Sequence, residues 1–310
     1  MRYDVLVVGD YTIDLIFAGL PGLPESGREV TGNQFAQLPG ESYTSAVAMH
    51  RLGLRVGWAA DFGDDDLSAL ALRYVRAEGL DEALFVHHKR PYRRVSVAAS
   101  LPDDRAFITY YDPVPAQPAA LKALVTARAR ALYVPGYYSG ALFNAGRWLV
   151  RAKRMQLIMD GNMTADLTLE SPGVRRTLAQ VDVFLPNARE ARQLTGQTDL
   201  EQAARQLAAL GPLVVVKNGA VGAFACQADR LWHAPALPIT PVDTTGAGDC
   251  FSAGFVKARL MGRPVGECLQ WANIVGGLST LGLGGTGQRV TAEDVARRFD
   301  HYWHGEPRTR

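Results

Sequence analysis

Within DTTGAGDCFSAGF, residues 243–255, three of the smallest residues, Gly246, Ala247 and Gly248, come directly before the carboxylate of Asp249. Small and apolar residues follow, as expected of a buried helix. One reading is an ordinary helix start, with Thr and Asp as caps and glycine turning the chain. The other is a polyanion site. A helix N-terminus offers unpaired backbone N–H groups and partial positive charge, and glycines let that backbone meet a phosphate with no side chain between. A carboxylate in the first turn would repel a phosphate that is merely held. It suits a site where a hydroxyl attacks phosphorus, because Asp249 can take that hydroxyl's proton. The chemistry these residue types allow is phosphoryl transfer to an alcohol.

Other suggestive strings lack their context. GLGGTG at 282–287 has the spacing of a dinucleotide fingerprint, but it follows helix-like sequence near the C-terminus instead of a first strand. Asp61-Phe62-Gly63 spells the metal-binding tripeptide of protein kinases without that family's companion motifs, and no Gly-Lys-Ser/Thr P-loop occurs. His87 and His88 have no second ligand pair at metal spacing and read as an exposed strand end.

The elements that must hold Asp249 alternate along the chain. Strand-length apolar runs at 3–9, 54–63, 131–136, 155–162, 181–187 and 211–219 are separated by helix-period segments such as 65–79. Continuous Val/Ile/Leu runs between helices indicate a parallel sheet covered on both faces. Helices rich in small residues dominate from Gly246 onward. Residues 15–38 and 93–112 break the rhythm with β-prone sequence, the second as a hairpin turning at LPDD, 101–104. Both insertions fall near the carboxyl ends of early strands, where open α/β sheets bind ligands, so they are expected to form a small β lid.

Composition narrows the partners. The chain has 310 residues, 47% of them hydrophobic, with 33 Lys+Arg against 31 Asp+Glu. This predicts one large domain over 1–310 and no electrostatic case for nucleic acid. No stretch approaches the roughly 18 apolar residues of a membrane span, and the first strand starts at once, without a signal-peptide pattern. Cys226, Cys250 and Cys268 form no C-x-x-C pair, so neither a disulfide framework nor a zinc site is indicated. A cytoplasmic protein is the expectation.

DTTGAGDCFSAGF closely resembles the C-terminal signature of the ribokinase-like (PfkB-type) family of carbohydrate and nucleoside kinases. Six further landmarks follow that family's order: VVGDYTIDLIF (7–17), PGESYTSAVAMHRLG (39–53), DFGDDDLSAL (61–70), MDGN (159–162), PNAREARQLTG (186–196) and VVVKNGAVGAFA (214–225), with WANIVGG (271–277) as a seventh. The resemblance implies an α/β three-layer sandwich with a mainly parallel central sheet and a small β-sheet lid. It implies ATP and Mg²⁺, with Asp249 as base and the Gly246, Ala247 and Gly248 amides as anion hole. Asn187 would face the phosphates with Glu190, which would place Mg²⁺ through water. Lys217, Gly219 and Gly222 would line the nucleotide, with Asn273 near the base. Asp14, ending the first strand, would join Gly40 and Thr44 in holding the acceptor. A monovalent cation such as K⁺ near the 243–248 loop and a homodimer through the lid are family traits the residues leave open.

The acceptor half departs from the family. Pro39-Gly40 stands where two glycines are usual, and Thr44 where a sugar-binding Asn is usual. Thr offers one short hydroxyl in place of an amide's donor and acceptor. A small carbohydrate is the expected acceptor. The alternatives are a nucleoside, with Phe17, Phe35, Tyr43, Tyr110 or Tyr111 stacking on its base, and a catalytically silent sugar-binding sensor.

Overall fold

Val5–Val8, the first strand (β1), is buried along its whole length. Val5 and Val7 face one hydrophobic core while Leu6 and Val8 face another, so the strand needs apolar side chains on both faces. The computed structural model describes residues 2–101, 105–113, 118–163 and 166–303. Strands and helices are numbered in chain order.

The central sheet has eight strands. β1 joins β4 (Val56–Ala59), β9 (Ala131–Val134), β10 (Gln156–Asp160), β11 (Val183–Leu185), β12 (Leu213–Lys217), β13 (Ala223–Gln227) and β14 (Arg230–Ala234). Their spatial order is β14-β13-β12-β11-β10-β9-β1-β4. Every pair is parallel except β12–β13 and β13–β14. One core lies under α1 (Ser42–Arg51), α2 (Asp66–Glu78), α8 (Ala247–Leu260), α9 (Val265–Ser279) and α10 (Ala292–Trp303). The other lies under α3 (Pro118–Thr126), α4 (Ala141–Ala152), α5 (Val174–Leu178), α6 (Ala188–Thr195) and α7 (Leu200–Ala208). This is the expected three-layer α/β sandwich.

The two sequence insertions form a single four-stranded sheet, order β3-β2-β7-β8, from β2 (Tyr11–Ala18), β3 (Gln34–Glu41), β7 (Arg94–Ser100) and β8 (Arg105–Tyr111). The first insertion is longer than read from sequence. Its strands begin at Tyr11 and end at Glu41, so Asp14 belongs to the small sheet and does not end β1. The apolar character of Tyr11, Ile13 and Ile16 made β2 look continuous with β1; Gly9, at an extended φ of 157°, separates them. Residues 102–104 of the expected LPDD turn lie outside the described residues. The run at 54–63 likewise divides into β4 and a two-residue strand β5 (Asp61–Phe62), which pairs with β6 (Val86–His87). There His88 departs from the exposed end expected of it. Its Nε2 lies 2.7 Å from Oδ1 of buried Asp61, a hydrogen-bond partner for the misleading Asp-Phe-Gly tripeptide. No helix of the described residues is long and apolar enough to cross a membrane.

Candidate active site

Three polar side chains stand at or just beyond carboxyl ends of neighbouring parallel strands. Asp160 ends β10, Lys217 ends β12, and Asn187 follows β11 between them. Such ends are where an open α/β sheet leaves a crevice. Facing them is the start of α8. Gly246 takes the left-handed conformation at φ 70°, and a Cβ there would lie 2.5 Å from Gly285 Cα, so the turn requires glycine. The helix has no side-chain cap. Ala247 N–H closes the turn onto the Thr244 carbonyl at 3.2 Å, which removes it from the expected anion hole. The N–H groups of Gly248 and Asp249 meet no acceptor among the described residues. Gly246 N–H meets none either, so of the three expected amides only Ala247 is engaged, and Asp249 N–H joins the free donors.

Asp249 is half-buried, and Ser45 Oγ donates to its Oδ1 at 2.9 Å. Burial, followed by the nearby charge of Asp160, pushes its carboxyl up to about 7, against the opposing pull of Lys217 and Ser45. That places a carboxylate in the range suited to a general base near neutral pH. Asp160 is fixed by four donors. Lys217 Nζ at 2.6 Å and Gly161 N–H at 2.8 Å meet Oδ1, while Ser252 Oγ at 2.6 Å and Tyr133 OH at 2.9 Å meet Oδ2. A Cβ on Gly248 would lie 3.7 Å from Lys217 Nζ, so the ammonium stands beside the free amides.

A cleft of about 780 Å³ joins these groups, lined by Asn187, Glu190, Lys217, Gly219, Gly222, Ala247, Gly248, Asp249 and Asn273. Within it several residues have structural duties that the sequence did not reveal. Asn187 caps α6 by accepting Glu190 N–H at 2.9 Å, and Glu190 Oε2 returns the contact to Asn187 N–H at 2.8 Å, a reciprocal capping box. Glu190 is only 4% exposed, and burial raises its carboxyl. Both N–H groups of the Asn273 amide are committed to the Ala234 and Pro235 carbonyls at 2.9 Å, so it braces the cleft wall. Gly222, at φ 112°, makes room for that same segment, since any Cβ would strike the Ala234 carbonyl. Gly219 opens the short turn after β12, where a Cβ would meet nothing.

The three residues expected to hold the acceptor are Asp14, Gly40 and Thr44. Asp14 is paired in register with Leu38 on the face of the small sheet turned towards the Gly284 loop, where Ile16 and Leu38 also point. Gly40 is its floor: a Cβ there would collide with the Asp14 carboxylate. Burial pushes the Asp14 carboxyl up to about 7 against a hydrogen bond from Thr12, and the charges of Glu41, Asp249 and Asp243 add to the rise. Thr44 is 2% exposed, its methyl packed towards Gly246 and Gly285. Its neighbour Ser45, and not Thr44, reaches Asp249.

Residues 3–291 match the pfkB family carbohydrate kinases. The chain belongs to the PfkB family. Among its relatives, the ribokinase of Bacillus subtilis (strain 168) is 24% identical over 315 residues, taking in 94% of this chain and 98% of that protein. The cytidine kinase of Thermococcus kodakarensis is 40% identical over 101 residues, 31% of this chain and 36% of that protein. The solved structure of Arabidopsis thaliana ribokinase complexed with ribose and ATP superposes with a TM-score of 0.77 at 19% identity, covering 96% of this chain and 98% of that one. The fold and the kinase class of this PfkB protein follow.

Four residues of the site went unassigned in the sequence. Ser45 lies one position beyond the residue singled out in PGESYTS, and Asp160 stood in the MDGN landmark without a role. Asp243 opens the DTTGAGD signature. Its Oδ1 accepts Thr245 N–H at 2.9 Å and its Oδ2 accepts Gly284 N–H at 2.7 Å, which ties GLGGTG under the α8 turn. Glu41 holds a left-handed φ of 54°, unusual for a non-glycine residue. It pairs with Arg94 at 3.1 Å and with the Tyr111 hydroxyl.

Proposed function

We propose that this PfkB family protein transfers the γ-phosphoryl group of ATP to a hydroxyl of a small, uncharged polyol, a carbohydrate in the first instance. One observation carries the reading: Asp249, its carboxyl raised to about 7, shares the first turn of α8 with two free backbone N–H groups and lies beside Lys217. The acceptor hydroxyl gives its proton to Asp249 as it attacks phosphorus. The Gly248 and Asp249 amides and the Lys217 ammonium stabilise charge on the transferring group.

Asp14, Glu41 and Asp249 bring three carboxylates to the acceptor side, and the cation beside Glu41, Arg94, is held by Glu41 and the Tyr11 carbonyl. This balance favours a ligand rich in hydroxyl donors and opposes one that already bears phosphate. A nucleoside is the second reading. Register places Phe107 and Tyr111 on the Asp14 face, 56% and 41% exposed, where a base could stack. Of the other aromatic candidates, Tyr43 is buried in the core and Phe17, Phe35 and Tyr110 occupy the opposite face.

Mg²⁺ belongs to the proposal as a partner of the nucleotide, where it would neutralise phosphate charge. Among the described residues no cluster of three or more His, Cys, Asp or Glu is arranged to hold a metal, which fits an ion carried mainly by phosphate oxygens. Glu190 is the carboxylate of the cleft best placed to reach such an ion through water, and Asp160 is fully engaged. A K⁺ ion near the 243–248 loop and a homodimer through the small sheet complete the reading. Phe17, Phe35 and Ile108, 38%, 58% and 77% exposed, support the dimer. ADP release across sugars, sugar phosphates and nucleosides tests the function. Turnover of an uncharged polyol is expected, and binding of one without turnover would point to a silent sensor.

A further inference from the structure

A second cavity, about 410 Å³, opens at the amino ends of β10 and β11, the opposite end of the sheet from the cleft. Arg147, Arg151 and Arg154 reach it from the end of α4, Gln180 from the loop after α5, and Asp182 is its single acid. Among the described residues no carboxylate lies within ion-pair distance of the three arginines. Asp182 accepts Leu157 N–H at 2.7 Å, which engages it with backbone. Two buried atoms of side chains that line this space have no hydrogen-bond partner among the described residues, Arg147 Nε and Gln180 Oε1. The Arg147 guanidinium carbon lies 5.2 Å from the Trp148 ring centre, a contact that leaves its donors unused.

Buried polar atoms without partners call for an explanation, and these two are of complementary kinds. One is a donor on a cation and the other an acceptor. Arg154 adds a third sign. It holds a left-handed φ of 55° just past the end of α4, a position where glycine is the unstrained choice, yet a long cationic side chain is kept there.

We propose that this cavity binds a small phosphorylated polyol. Arginine forks match phosphate oxygens, and a hydroxyl on the same ligand supplies the donor that Gln180 Oε1 lacks. A hollow of this volume, open to solvent and with one acid beside three arginines, suits a compact anion such as a sugar phosphate. The site is separate from the cleft and does not rest on the identity of the acceptor.

Calorimetry on protein whose cleft is saturated with a non-hydrolysable ATP analogue tests this, with ribose 5-phosphate, inorganic phosphate and ribose as probes. Ribose 5-phosphate should bind one to one, several-fold tighter than phosphate, and ribose, whose place is the acceptor half of the cleft, should not displace it. Arg147→Gln combined with Arg154→Gln should weaken it at least tenfold. Asp182→Asn, which keeps an acceptor for Leu157 N–H and removes the repelling charge, should tighten it, a gain that misfolding cannot imitate. Equal affinity for phosphate and ribose 5-phosphate would overturn the hydroxyl contact. Absence of binding, or binding that all these variants leave unchanged, would overturn the site.

Discussion

Lys217 Nζ and Asp160 Oδ1 meet at 2.6 Å across the carboxyl end of β11, which separates their two strands. The lysine is thereby aimed along the α8 N-terminus without closing the cleft. The pair also acts on Asp249: Asp160 raises its carboxyl and Lys217 lowers it.

Lys217→Met therefore has a directional signature. Loss of the ammonium removes a force that lowers the Asp249 pKa, so the midpoint of the kcat/KM profile should move to more alkaline pH. The ATP KM should rise about tenfold or more, on the scale of a charge-assisted hydrogen bond. An unmoved pH midpoint would separate Lys217 from the base.

Glu190 has two duties that two substitutions distinguish. Glu190→Ala breaks the capping box and should cost about 1 kcal/mol in denaturant unfolding of the apo protein. Glu190→Gln retains a capping acceptor and should leave that stability nearly unchanged while raising the Mg²⁺ concentration for half-maximal activity. Superimposable magnesium curves would leave the residue with its cap alone.

Asp14 and Asp249 make a prediction about pH and stability. Both carboxyls are raised to about 7, above the roughly 4 of an unfolded aspartate. Between these values the folded state binds more protons than the unfolded one, so stability falls as pH rises through that window. Asp14→Asn removes one such group. It should melt higher than wild type at pH 8, with the difference shrinking towards pH 4. Its acceptor KM should rise about tenfold or more, the loss of a hydrogen bond to a charged group, with the ATP KM little changed. A lower melting temperature at pH 8 would contradict the assigned ionisation.

The layers of the fold were legible because apolar runs such as Val5–Val8 and Leu213–Lys217 have no other use than a sheet buried on both faces. Asp249 and its glycines were legible because a carboxylate beside bare backbone is chemically odd. The rest depended on contacts distant in sequence. Ser45 and Asp249 are 204 residues apart, and no local pattern pairs them. Asp14 was misplaced because β1 and β2 read as one strand, although residues 9–10 separate them. Asn187 and Glu190 carried a visible capping spacing, three residues apart, that the expectation of a phosphate and metal role obscured. Gly222 and Asn273 were read as nucleotide contacts; both line the cleft, and their packing against the segment 234–236 is a further duty that no local pattern reveals.

Turnover by Asp249→Asn tests the central claim most directly. Asparagine keeps the size of the side chain and an acceptor for Ser45 Oγ, and it removes only the capacity to take a proton. With the acceptor that wild type turns over best, kcat measured by ADP release should fall about 10²–10⁴-fold. Nucleotide affinity should stay level or improve, because a negative charge beside the phosphates is gone. A variant within a few-fold of wild-type kcat would contradict Asp249 as the base and, with it, the reading of the α8 turn as the site of phosphoryl transfer.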